Sequence, residues 1–267
     1  GSVFKIVTAA AAMEEGDFDG ESSLPGPATL DLPQTTVGLP NSSGGACGPN
    51  DRVTLDVAMQ DSCNTAFGWL GMELGGDEIR KQSTKFGFGE ELRIPNKVAP
   101  SSVPTDLNPP QEAQVGVGQY DVRVTPLQVA MISAAVANDG VVMTPHLVQS
   151  VLGQDLSEIS ETKPEQLSKA MEPETADQLT DMMKLVVEQG TGTQAAVPGV
   201  SVAGKTGTAE HATDAPPHAW FTGFAPADNP KVAVAVVVED GGREGSEAYG
   251  GSVAGPISSA VMKAALE

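Results

Sequence analysis

Positive charge is what this 267-residue sequence has least of. Fifteen Lys and Arg stand against 35 Asp and Glu, a formal net charge of −20. Phosphate backbones and anionic lipid headgroups repel such a surface, which argues against a nucleic-acid partner and against electrostatic docking on a membrane. Aromatic residues make up only 4% of the chain, too few for base-stacking or carbohydrate-stacking platforms. The longest apolar run, Val232 to Val238, falls far short of the roughly 18 residues that span a bilayer. Cysteine is scarce: Cys47 and Cys63 are the only two, and their separation fits either two buried thiols or one bridge. Three histidines, His146, His211 and His218, are too scattered for any usual zinc spacing, so no metal site is expected. There is no internal repeat.

The material for a core is present, with 40% apolar and 19% charged residues. Length and composition suit one large globular domain or two small ones. Residues 2–15 predict a helix of small apolar residues stopped at Glu14-Glu15-Gly16. The stretch Lys5 to Met13 also has the look of a short signal-peptide core. Residues 16–52 are rich in Gly, Pro, Ser and Asp and read as a long irregular segment, the kind that tends to carry function. Thr54 is a plausible N-cap for a helix running to Leu74, and a short helix is expected from Asp77 to Phe86, with Gly- and Pro-rich loops up to 124. Thr125-Pro126 opens a strong helix to Ala137. Residues 141–172 read as strand and loop, and Pro173-Glu174-Thr175 opens a helix that ends at Gln189-Gly190. Strands are expected at Val200 to Ala209, Ala219 to Ala225 and Lys231 to Glu239, then a helix from Ser252 to Leu266. The third strand is apolar on both faces and is therefore expected at the centre of a covered sheet. No linker divides the chain, which reads as one interdependent α/β unit.

Three short motifs carry chemistry. Ser2-Val3-Phe4-Lys5 is S-x-x-K at a helix start, where residues three apart share a face and the Lys amine reaches the Ser hydroxyl. A serine becomes a good nucleophile when a base takes its proton, and lysine serves as that base when burial or nearby positive charge lowers its pKa. Backbone N–H groups at a helix start also face a developing oxyanion. Ser62-Cys63-Asn64, in the middle of the second long helix or at a break in it, supplies a proton-relaying hydroxyl and an amide able to hold a substrate carbonyl. Lys205-Thr206-Gly207-Thr208 lies on a predicted strand and offers a cation, two hydroxyls and a glycine that lets backbone approach closely, a cradle for a carboxylate. S-x-x-K recurs at Ser160-Glu161-Thr162-Lys163, but in an acidic, exposed stretch. His211, just beyond the third motif, reads as a solvated loop histidine, with a place at the cleft rim as the alternative, and Glu210 reads the same way.

In this order, S-x-x-K, S-x-N and K-T-G are a signature shared by penicillin-binding proteins and class A β-lactamases. The sequence resembles the transpeptidase domain of class B penicillin-binding proteins. The resemblance extends to Val117-Gly118-Gln119, Val124-Thr125-Pro126-Leu127-Gln128, Ala137-Asn138-Asp139-Gly140, Ala219-Trp220-Phe221-Thr222-Gly223-Phe224 and Gly250-Gly251-Ser252-Val253-Ala254-Gly255-Pro256, and so covers residues 1–267. The Cys within Ser62-Cys63-Asn64 is similar to the actinobacterial PbpA-like members.

The resemblance implies an α/β (α+β) fold of the penicillin-binding/β-lactamase-like kind, with a central antiparallel sheet covered by helices on both faces. It implies that Ser2 attacks the penultimate D-Ala carbonyl of a peptidoglycan stem peptide ending in D-Ala-D-Ala, and that Lys5 accepts its proton. Ser62 would pass a proton to the leaving D-Ala near Lys205. Asn64 would orient the acyl donor, and Thr206 and Thr208, with Gly207 between them, would bind the terminal carboxylate or that of a β-lactam. The backbone N–H groups of Ser2 and Thr208 would form the oxyanion hole. It implies no metal or organic cofactor, β-lactam antibiotics as acylating agents, and cell-wall synthesis or division proteins as partners of the parent chain. It places the domain on the extracytoplasmic face of the membrane, which favours a Cys47–Cys63 disulfide and makes Lys5-Ile6-Val7-Thr8 a buried nucleophile helix. Only Gly1 precedes Ser2, so the expectation is an N-terminally incomplete domain whose sheet lacks its leading strands and exposes edge hydrogen-bonding groups. Related readings are a D,D-carboxypeptidase or a β-lactamase, though no E-x-x-L-N segment is present for the latter. A β-lactam-binding sensor or scaffold domain is the alternative of a different class.

Overall fold

A computed structural model describes residues 1–212 and 214–267. The chain opens with a 3₁₀ turn, Ser2–Phe4, that leads directly into α1, Lys5–Glu15. Four very short strands follow within the irregular segment: β1, Ser23–Pro25; β2, Thr29–Leu30; β3, Leu39–Pro40; and β4, Arg52–Thr54. The helices α2, Leu55–Gln60; α3, Asn64–Leu74; α4, Gly76–Lys85; α5, Pro109–Gly116; and α6, Pro126–Val136 come next. Short strands β5, Val141–Met143; β6, Ser150–Leu152; β7, Glu158–Glu161; and β8, Gln166–Lys169 lead to α7, Pro173–Glu188. Three long strands, β9, Ala203–Ala209; β10, His218–Ala225; and β11, Val232–Val238, precede the last helix, α8, Gly250–Leu266.

The apolar, alanine-rich α1 runs through the middle of the molecule. Every residue from Lys5 to Ala12 is buried. A helix that is apolar all round is stable only when covered all round, and its small side chains let α3, α4 and α7 pack close to it. The apolar residues of these helices form one large core that includes Phe4, Phe67, Leu70, Ile79, Leu179 and Met183.

β9, β10 and β11 form an antiparallel sheet in the order β11-β10-β9. Alternation along β10 sorts its side chains between two layers. Phe221 faces the cluster that contains Ala254 and Met262 of α8. On the opposite face, Thr222 is hydrogen-bonded to Ser133 of α6 and Trp220 packs on Val129. The expected antiparallel sheet with helices on both faces is therefore present.

Two expectations need correction. Val232–Val238 is an edge strand of this sheet, and His218–Ala225 occupies the centre. Helices cover both faces of β11 and so account for its unbroken apolar pattern, but burial of the faces says nothing about whether the strand has one neighbour or two. The helix expected from Thr54 to Leu74 is broken at residues 61–63, between α2 and α3. A helix was also missed: α5, whose Asn108 forms a capping box with Gln111 ahead of Pro109 at the first helical position.

Candidate active site

The three motifs meet at one cleft of about 900 Å³, lined by Ser2, Ser62, Asn64, Thr206, Gly207 and Thr208 among others. Each reaches it from a different element: the turn before α1, the break between α2 and α3, and β9 on the outer edge of the sheet.

Ser62 sits at φ +57°, a left-handed conformation that a residue with a side chain adopts at a cost of roughly 1–3 kcal/mol. That kink ends α2 and aims the Ser62 hydroxyl at two lysines. Lys5 Nζ lies 3.2 Å and Lys205 Nζ 2.9 Å from Ser62 Oγ. Lys5 also donates to the Ser62 carbonyl at 2.7 Å and to Asn64 Oδ1 at 2.8 Å. The Phe67 ring lies 5.3 Å from the Lys5 ammonium and closes one side of its pocket.

Both lysines are fully buried, and among the described residues neither has a carboxylate partner. Burial disfavours an unpaired charge. Desolvation, reinforced by the charge of Lys205, holds the Lys5 amine well below the ordinary lysine range. Desolvation lowers Lys205 to about 7. A buried amine whose charged form is disfavoured in this way can take a proton from a serine as its base. In this structure Lys5 is hydrogen-bonded to Ser62 and Asn64 and, among the described residues, makes no hydrogen bond to Ser2.

β9 presses against the turn that carries Ser2. A Cβ at Gly207 would stand 3.1 Å from Val3 N and 3.0 Å from the Val3 side chain, so the glycine permits this contact. Thr206 Oγ1 lies 2.6 Å from Thr191 Oγ1. Gln119 Nε2 donates to the Thr208 carbonyl at 3.4 Å.

Cys47 and Cys63 are disulfide-bonded, with their Cα atoms 6.0 Å apart. Cys63 is the residue that would cap α3, but it makes no side-chain cap. Asn41, from the irregular segment, takes over. Its Oδ1 accepts the Thr65 backbone N–H at 3.0 Å, and its Nδ2 donates to the Pro27 and Gly45 carbonyls at 2.9 Å. Sequence reasoning missed Asn41, Thr191 and Gln119 as site residues. Only Gln119 carried a signal, through its place in Val117-Gly118-Gln119.

The second S-x-x-K does not join the site: Ser160 and Lys163 are exposed, with Ser160 in β7. Glu210, read as a solvated loop residue, lines the cleft. The histidines were expected to be too scattered for any usual zinc spacing; two of them nonetheless meet in space. His211 and His218 stack with centroids 3.9 Å apart beside Asp240, because the hairpin from β9 to β10 folds their positions onto one another.

Comparison with known proteins points one way. The penicillin binding protein transpeptidase domain family matches residues 1–263. The peptidoglycan D,D-transpeptidase PbpA of Mycolicibacterium smegmatis is 46% identical over 270 residues, covering 100% of this chain and 54% of the relative. The corresponding protein of Mycobacterium tuberculosis is 44% identical over 271 residues, covering 100% and 55%. A structure of penicillin-binding protein A from M. tuberculosis as a ceftriaxone acyl-enzyme complex superposes with a TM-score of 0.95 at 43% identity, covering 100% of this chain and 60% of that one. The chain thus spans about half the length of the curated relatives it matches.

Proposed function

We propose that this chain, which belongs to the penicillin-binding protein transpeptidase family and has its fold, is the acyl-transfer domain of a peptidoglycan D,D-transpeptidase. One observation carries the reading: Ser2 and Ser62 line one cleft, and two buried lysines of lowered pKa are both hydrogen-bonded to Ser62.

The chemistry follows from the arrangement. Ser2 Oγ attacks the carbonyl of the penultimate D-Ala while neutral Lys5 takes its proton. The oxyanion of the tetrahedral intermediate is held by the backbone N–H groups of Ser2 and Thr208. Ser62, already hydrogen-bonded to Lys5 and Lys205, relays a proton to the leaving D-Ala amine as the C–N bond breaks. The product is an ester on Ser2. The amine of a second stem peptide then attacks that ester, returns the proton through the same groups and closes the crosslink. Asn64 orients the donor through its amide. Lys205, Thr206 and Thr208 cradle the terminal carboxylate, and Gly207 keeps the strand close enough to Ser2 for the two halves of the site to act on one substrate. A β-lactam enters as the acylating analogue. Cys47 and Cys63 fix the loop beside Ser62.

Residues 1–267 work as one transpeptidase domain on the extracytoplasmic face of the membrane, and its parent protein meets other cell-wall synthesis proteins through its remaining parts. None of the helices is long and apolar enough to cross a membrane among the described residues.

The test is a transfer assay with a stem pentapeptide ending in D-Ala-D-Ala and an amine acceptor. Release of D-Ala together with the acceptor-linked product, both lost in S2A, is the expected result. Hydrolysed donor alone, whatever the acceptor concentration, would make the domain a carboxypeptidase.

A further inference from the structure

Outside the cleft, one cluster of ligating side chains has no role in acyl transfer. We propose that His211, His218 and Asp240 form a binding site for a divalent transition-metal ion of the zinc class. The three come from three consecutive segments at one end of the sheet. His211 follows the end of β9, His218 begins β10, and Asp240 follows the end of β11. The register that pairs His218 with Ala209 and Ala219 with Val238 holds these ends side by side.

The spacing suits a metal. One ligand atom from each residue lies within 4.8 Å of the other two. Asp240 Oδ1 is 3.1 Å from His211 Nε2 and 3.7 Å from His218 Nδ1. A tetrahedral zinc bound at about 2.0–2.2 Å keeps its ligand atoms about 3.3–3.5 Å apart, so these distances bracket what is required. The rings are stacked, with 10° between their planes, so binding requires at least one imidazole to turn out of the stack before both lone pairs meet one ion; His211, exposed, is the freer of the two and His218 is half-buried. Two imidazoles and one carboxylate suit zinc and its first-row neighbours better than magnesium or calcium, which prefer all-oxygen sites. Water fills the fourth position. The chain's −20 charge adds a general attraction for cations.

Binding there has a structural consequence. His218 Nδ1 now accepts the Asp240 backbone N–H at 3.0 Å, and a metal on Nδ1 replaces that bond. The ion ties the segment after β9 to the end of β11, and Glu210, next to His211, lines the cleft. The site therefore stiffens one wall of the cleft without touching the reacting atoms.

The intact, tag-free protein in metal-free buffer is titrated with zinc chloride by calorimetry. The expected result is one equivalent bound, at least about tenfold more weakly in each of H211A, H218A and D240N. S2A binds like the wild type, which separates this site from the acyl-transfer reading. Thermal melts without metal check that the variants fold, and zinc raises the Tm of the wild type but not of H211A. In the ¹⁵N spectrum the Asp240 amide shifts on saturation. No saturable one-equivalent binding, or binding that H211A and D240N leave unchanged, overturns the proposal.

Discussion

Two lysines share one serine, and their electrostatics set the pH behaviour. Lys5 is held well below the ordinary lysine range by burial and then by Lys205, so its neutral form is available far below pH 10. Lys205, lowered to about 7 by burial, is charged below that pH and neutral above it. The base is needed neutral and the carboxylate partner charged. The second-order rate constant for β-lactam acylation, which reports the free enzyme, is therefore expected to fall through an apparent pKa of about 7 as Lys205 loses its proton. Arginine stays charged throughout. In K205R, stopped-flow acylation from pH 5 to 10 is expected to lose the falling limb even if the plateau drops. A falling limb unchanged in K205R would assign it to another group.

At the scale of elements, the break between α2 and α3 matters most, because it holds Ser62 in its left-handed conformation between the two lysines. Nothing in the local sequence favours that conformation. It is imposed from outside, by the Cys47–Cys63 disulfide and by Asn41 capping α3. The bridge spans 16 residues, and closing a loop of that length is worth about 3 kcal/mol through the unfolded state. The double variant C47A/C63A is therefore expected to lose about 2–4 kcal/mol in urea unfolding. It should also acylate more slowly, because the anchor beside Ser62 is gone. Full acylation rates in a destabilised variant would limit the bridge to a stabilising role.

The same break shows where sequence reading reaches its limit. Ser62-Cys63-Asn64 was legible as chemistry, but whether it lay within a helix or at a kink was not, since the kink is held by contacts spanning 16 to 24 positions. The β11 misplacement has a related cause: period-two burial reports faces, whereas strand order depends on partners distant in sequence. Helix ends governed by local caps were read well, as at Thr125, whose side chain accepts the Gln128 N–H.

For the whole molecule, most of the candidate cleft was legible because each of three motifs kept its character locally: a helix start, a polar kink and a strand with a glycine. The fold's contribution was to bring them together, burying Lys5 and Lys205 around Ser62 and pressing Gly207 against Val3. The His211–His218–Asp240 cluster was not legible for the converse reason. Its members have no motif spacing and meet only because strand register aligns the ends of β9, β10 and β11. The acidic balance, first a reason to exclude phosphate-bearing partners, leaves buried Lys205, when charged, as a positive centre in a chain of net charge −20, a contrast that favours a ligand with a carboxylate.

The central claim is that Ser2 is the acylated nucleophile. Peptide mapping by mass spectrometry after incubation with a fluorescent penicillin addresses it directly. The account predicts one stable adduct, on the peptide that contains Ser2, absent from S2A and strongly slowed in K5A. An adduct on another residue, or undiminished labelling of folded S2A, would contradict it.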